Sequence, residues 1–380
     1  MAQSIADDKA WVRSIRNTAG ELEREAKSRR FNVIEPFATM AYCLVLLWCV
    51  QYPFGVLMKI DFANTLTTAL LTIGALYLLF VSPRIHRDTL TSWGLGNPVA
   101  LWRLVSHGPA KRRLAYGAAV ALVWGMLAVF FYWQWHEVAD FLFDMKRENA
   151  LAWKQSFAGK AAILAMGIAT TGAFATCVIR YDNFGTAFWT ALKITAVLGA
   201  ALYLLAAVVI GAKAFADFRP TKFALDVFGY VFWGALQQLL FSSYFGTRFR
   251  KGFGPAANPS DIAKKRFWVA VLNGSFFGLI HINSWYLVAV TWLLGIVLSW
   301  AFMEDRNRNL IALGFIHGFL GSSVGWLFSA KKAGKAAISM GVGPTHMDGF
   351  DWPTVLVVVP LILGCIAFIV YAWRNWNEER

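Results

Sequence analysis

FALDVFGYVFWGALQQLLFSSYFG, residues 223–246, decides the fold class. Its one charged residue is Asp226, and a helix of this length crosses a hydrocarbon core of ~30 Å. Helical spacing sets Gly234, Gln238 and Ser242 on one stripe, with Gln237 and Phe241 beside it. The segment therefore reads as a buried membrane helix with one polar face.

The rest of the chain has the same character. Of its 380 residues, 58% are hydrophobic, 16% aromatic and only 15% charged, whereas a soluble domain carries about 25% charged residues. Mean hydropathy is +0.50. This excludes an ordinary soluble enzyme. Apolar runs near 37–58, 63–82, 114–135, 161–179, 187–211, 223–246, 267–283, 285–303, 309–328 and 353–373 predict an all-α, polytopic bundle of about ten transmembrane helices. We divide it into a charged N-terminal segment (1–36), N-terminal transmembrane helices (37–211), a core (220–330) and a final helix (353–373).

A formal charge of +14 would suggest nucleic acid in a soluble protein. Here the alternate loops beginning with the N-terminus hold 24 Lys and Arg, and those on the other side hold 11. By the positive-inside rule both termini are cytoplasmic. The basic excess is mostly topogenic, with some attraction to anionic lipid, and no nucleic-acid partner is expected. No signal peptide is read before the first span, because residues 1–35 are charged and polar throughout. Within them Trp11, Ile15, Ala19, Leu22 and Ala26 recur at helical spacing, which fits an amphipathic helix on the membrane or a solvated helix on the cytoplasmic loops. The stretch 135–160, with four acids and four bases, reads as an interfacial loop. Many of the 18 tryptophans lie near span ends, as interfacial anchors do. Cys43, Cys49, Cys177 and Cys365 show neither metal-ligand nor disulfide spacing and are assigned to packing.

Polar side chains within spans are costly, so each marks a site or a helix pairing. They concentrate after residue 230. FWVAVLNGSFFGLIHINSW (267–285) aligns Gly274, Gly278 and His281, with Asn273 and Phe277 adjoining. NLIALGFIHGFLGSSVGWLF (309–328) carries a ridge of Gly314, Gly318, Gly321 or Ser322, and Gly325, next to His317. Such ridges let another backbone approach closely. These groups form either interhelical hydrogen bonds of ~0.6 kcal/mol each, or a site containing two histidines.

In order and spacing, GALQQLLFSSYFGTRFRKG, FFGLIH and EDRNRNLIALGFIHGFLGSS resemble the three motifs of the CPBP family, the CAAX proteases and bacteriocin-processing proteins. These motifs are Glu-Glu-x-x-x-Arg, Phe-x-x-x-His and His-x-x-x-Asn. The resemblance spans roughly residues 220–330. Phe277 and His281 match the second motif, and His317 matches the first residue of the third. Gln237 and Gln238 stand at the glutamate positions, Ser242 at the arginine position and Gly321 at the asparagine position.

The resemblance implies an intramembrane endopeptidase in which a glutamate activates water and histidines and an asparagine assist at the developing oxyanion. A carboxamide cannot serve as that base, although Gln keeps the shape and hydrogen-bonding capacity of Glu. Three functions follow: a protease-like fold with altered or lost peptidase activity that binds a membrane-embedded or lipidated protein; a peptidase or other hydrolase using His281 or His317 as base; or a transporter whose path is the polar cluster, to which Lys193, alone in the fifth span, adds nothing. Two histidines without a nearby carboxylate fall short of a three-ligand zinc site, so neither metal nor cofactor is expected. Membrane lipids are expected partners, and the location is a bacterial or archaeal cytoplasmic membrane.

Overall fold

The structure, a computed structural model, describes residues 29–107, 109–143, 145–254, 258–338, 341, 343–347 and 349–376. Most of the expected N-terminal amphipathic helix lies outside these residues. The thirteen longer helices among the described residues are α1 (Arg29–Leu57), α2 (Asp61–Ile85), α3 (Pro98–Ser106), α4 (Ala110–Trp133), α5 (Trp135–Phe143), α6 (Arg147–Gln155), α7 (Phe157–Val178), α8 (Phe184–Val209), α9 (Pro220–Phe253), α10 (Pro259–Leu279), α11 (Trp285–Phe302), α12 (Leu310–Leu327) and α13 (Trp352–Asn375). Among the described residues, nine of them are long and apolar enough to cross a membrane. The chain is a polytopic helical membrane protein.

The tenth expected span is α10, and composition sets it apart. It begins at Pro259 and carries Asp261, Lys264, Lys265 and Arg266 in its first turns. Its apolar part starts only at Phe267 and the helix ends at Leu279, so the hydropathy of 267–283 had run on through a turn. The side chain of Asn258 caps its start, accepting a bond from the Asp261 N–H at 2.9 Å.

The described residues divide into two compact units, 29–93 with 186–376, and 94–185. In the first, α1 packs beside α13, with Phe37 and Phe368 stacked at 4.0 Å and Phe31 edge-on to Trp373 at 6.0 Å. In the second unit the stretch 135–160 is not an irregular loop. Its helices α5 and α6 close over the ends of α4 and α7 around buried Phe131, Trp135, Ala139, Ala150 and Ile163. Lys154 anchors this cap, donating to the Tyr132 carbonyl at 2.6 Å.

Two helix pairs position the polar centre. Small residues bring α9 and α12 together: a Cβ on Gly318 would lie 2.7 Å from the Val231 nitrogen, and one on Gly234 2.9 Å from the His317 Cβ. Likewise α10 meets α11 through Gly274 and Gly295, where a Cβ on Gly295 would lie 2.9 Å from the Gly274 Cα. The absence of side-chain volume at these positions is what permits the approach.

Candidate functional site

Helix α9 starts conventionally, with Pro220 at its first turn, where the missing N–H costs nothing. At Gln238 it changes, and Leu239–Phe245 is π-helical before α-helix resumes at Gly246. The wider turn adds a residue to the repeat and rotates everything after it. Before the change, Gly234 and Gln238 face α12. After it, Ser243 and Thr247 donate to the Trp93 and Ser92 carbonyls at 2.6 and 3.2 Å. One helix thereby serves two polar centres.

The first joins Ser242, Gln238 and His317. The Ser242 hydroxyl donates to Gln238 Oε1 at 2.5 Å, and Gln238 Nε2 lies 3.2 Å from His317 Nδ1. Because the amide oxygen is occupied by Ser242, its NH2 is the donor to Nδ1, and the neutral His317 carries its hydrogen on Nε2. Gln238, Ser242 and His317 are 1%, 0% and 5% exposed. Phe277 and Tyr230 flank the imidazole, with ring centroids 5.5 and 5.8 Å away.

His281 is placed differently from a mid-helix residue. It sits in the turn after α10, where its Nδ1 lies 2.8 Å from the Phe277 carbonyl oxygen. A carbonyl only accepts, so Nδ1 carries the hydrogen and Nε2 presents a lone pair. The Phe277 ring, 5.3 Å from His281, stands next to both imidazoles. The two histidines thus differ in tautomer, with Nε2 a proton acceptor in His281 and a donor in His317. Among the described residues no group of three or more His, Cys, Asp or Glu is arranged to hold a metal ion.

Gln237 is half-buried and its Oε1 has no hydrogen-bond partner. Gly321 does not join the network. A Cβ at this position would lie 2.3 Å from Tyr230 Cε1, so the tyrosine ring takes the space that a longer side chain would need. Sequence reasoning passed over Tyr230, although it precedes Gln238 by eight residues and shares the Gly234 stripe. Gly321 and Tyr230 instead border a cavity of about 740 Å³, lined also by Phe218, Arg219, Gly325 and Trp326. The glycine ridge thus has two uses: Gly314 and Gly318 pack against α9, and Gly325 faces open space.

The second centre was not foreseen. Arg248 and Lys251, counted among topogenic charges, are both 0% exposed. Arg248 pairs through Nη2 with Asp88 Oδ2 and donates through Nη1 to Asn32 Oδ1 at 2.9 Å. Lys251 Nζ reaches Asp88 Oδ1 at 2.6 Å and the His86 carbonyl at 2.8 Å. The Trp93 indole donates to Asp88 Oδ2 at 2.9 Å, and His86 Nε2 lies 2.5 Å from Glu35 Oε2. Burial alone would raise the pKa of Asp88, but the charges of Arg248 and Lys251, with the bonds from Lys251 and Trp93, override it and hold the pKa below the usual value. This centre ties α1, the end of α2 and the end of α9 together. No local motif marks it, since its members come from three distant segments.

Residues 219–322 match the family model described as Rce1-like, type II CAAX prenyl endopeptidase Rce1-like. No curated protein and no solved structure matches the chain. The match covers α9 to most of α12, the helices that bring Gln238, Phe277 and His317 together, and makes this segment of the membrane protein a CAAX-protease-family domain.

Proposed function

We propose that this CAAX-protease-like membrane protein does not cleave peptides by a carboxylate-activated water, and that it acts by binding a membrane-embedded or lipidated protein. The observation that carries this reading is the state of Gln238. It stands where the resemblance asks for a glutamate, is 1% exposed, and is bonded on one side to Ser242 and on the other to His317. An amide held this way has no proton-accepting function to offer, and its neighbours leave it satisfied. Tyr230, in the space beside Gly321, supports the same conclusion at the asparagine position. The cavity lined by Tyr230, Gly325 and Trp326 adjoins this centre through Tyr230, whose ring lies 5.8 Å from that of His317, and is the binding volume of this reading.

The test compares membranes carrying the natural sequence with those carrying a His281→Ala, His317→Ala double variant, by mass spectrometry of protein termini. The reading expects identical termini at equal expression. It also expects a co-purifying protein to be lost on Gly325→Phe, which fills the cavity at a position whose Cβ meets nothing within 4 Å. New termini that depend on the histidines overturn it. One observation favours a second reading in that case. The His281 Nε2 lone pair and the His317 Nε2–H form an acceptor and a donor, the pair that a histidine-based hydrolase needs for water and for the oxyanion. This reading also takes both termini to be cytoplasmic, which counts α10 as a tenth crossing and rests on the 24 to 11 division of Lys and Arg that follows from it.

A further inference from the structure

Helix α3 is nine residues long, about 13 Å, too short to cross a bilayer, and it ends just before the span α4 begins. Its start is fixed in place. Asn97 Oδ1 accepts from the Val99 and Ala100 N–H groups at 2.9 and 3.3 Å, Pro98 takes the first turn, and the Gly96 N–H donates to the Val178 carbonyl at the end of α7 at 3.3 Å. Leu101 is buried on the inner face. Val99, Trp102 and Arg103, at i, i+3 and i+4, share the outer face, where Val99 and Trp102 are 60% and 66% exposed.

Four cations gather at this corner. Arg103 lies in the last turn of α3, and Lys111, Arg112 and Arg113 lie in the first turn of α4; all four are exposed. Arg113 Nη1 lies 3.5 Å from the Ser106 carbonyl oxygen, which sets the start of α4 against the end of α3, and the Arg112 guanidinium lies 5.6 Å from the Tyr116 ring. Residues 89–136 contain no Asp or Glu, and Asp182, just after α7, is paired with Arg180 at 3.0 Å. The patch therefore needs an outside anion to balance it.

Depth decides which anion. The exposed apolar surface of α4 begins at Leu114, directly after Arg113, so the cations of its first turn stand at the level of lipid headgroups. Free phosphate or a nucleic acid would leave Val99 and Trp102 in water, whereas a phospholipid covers the apolar groups and the cations together. We propose that the α3–α4 corner binds an anionic phospholipid, with its phosphate at Arg103 and Arg113, Lys111 and Arg112 beside it, and its chains against Val99, Trp102 and Leu114. The assignment shares no residue with the Gln238–His317 centre and does not rest on it.

The probe is phosphatidylglycerol with a diazirine at the head end of one acyl chain, photolysed with the full-length protein in phosphatidylcholine nanodiscs and mapped by peptide mass spectrometry. Label on 98–106 and 109–116 is expected to exceed, at least tenfold, that from the same probe with a choline head. Each cation near an anionic head is worth about fivefold in binding, so Lys111→Gln, Arg112→Gln, Arg113→Gln together should lower this preference at least tenfold, with label on the other lipid-facing helices unchanged. Because these cations also orient α4 in the bilayer, the natural sequence supplies a second readout. Raising salt from ~0.05 to ~0.5 M should lower the preference at least threefold and leave the choline probe unchanged. Equal label from the two probes at this corner, or a preference that survives salt or the triple variant, would overturn the site. Poly(A) RNA or inorganic phosphate displacing the probe as well as phosphatidylglycerol does, at equal phosphate and ionic strength, would overturn a lipid as the occupant.

Discussion

Replacing Asp88 with Asn isolates the energetics of the buried ionic centre. Asp88 is the partner shared by Arg248 and Lys251, which are each 0% exposed, and its own side chain is 1% exposed. Asn is nearly isosteric, so no cavity opens, but two buried cations lose their common counter-charge. Breaking a buried pair by removing one partner costs about 3–5 kcal/mol, whereas exchanging a whole buried set for apolar groups of similar size is close to neutral. Asp88→Asn should therefore destabilise by about 3–5 kcal/mol, and the triple variant Asp88→Asn, Arg248→Met, Lys251→Met should recover most of that loss. Denaturant unfolding in a mild detergent, followed by tryptophan fluorescence, measures both. The sign of the pH dependence follows from the lowered pKa of Asp88. Its contribution is complete above the unfolded-state value of ~4 and is lost as pH falls through the lower folded-state value, so acid destabilisation should set in below about pH 4. Asp88→Asn should diminish that acid limb. A cost under about 1 kcal/mol, with the acid limb unchanged, would refute the reasoning, because it is what solvent-screened pairs give.

Three further outcomes follow from the geometry. The combined change Gln237→Glu, Gln238→Glu, Ser242→Arg, Gly321→Asn should yield misfolded protein rather than peptidase, because the side chain at 321 collides with Tyr230 Cε1 at 2.3 Å; adding Tyr230→Ala should restore yield, as read by size-exclusion chromatography. Gly318→Leu should separate α9 from α12 and abolish recovery of folded protein, since a Cβ there lies 2.7 Å from the Val231 nitrogen, and Gly325→Leu should be tolerated; detergent thermal stability distinguishes them. Ser242→Ala should cost about 1–3 kcal/mol in denaturant unfolding, as it leaves Gln238 Oε1 buried without its donor.

The chain's own pattern was enough to establish the helical membrane class and the placement of nearly every span, and it singled out the Gln238 stripe and His317 as polar groups within spans. Each of these rests on local regularities: runs long enough to cross a bilayer, and side chains three or four apart on one helix. What lay beyond local spacing was decided by tertiary structure. His281 was counted within a span because hydropathy does not register where backbone hydrogen bonding stops, and α10 stops at Leu279. Gly321 was read as a site position, but only packing could show Tyr230 in its place. The ridge of Gly314 and Gly318 was read as a place of close backbone approach, and tertiary structure supplied the partner, α9; Gly278, read on the His281 face, packs against α11. Arg248, Lys251, Asp88 and Glu35 were invisible as a group for the same reason. Electrostatic pairing acts across a few ångströms of space, and the residues it joins are up to 216 positions apart, as in Asn32 and Arg248.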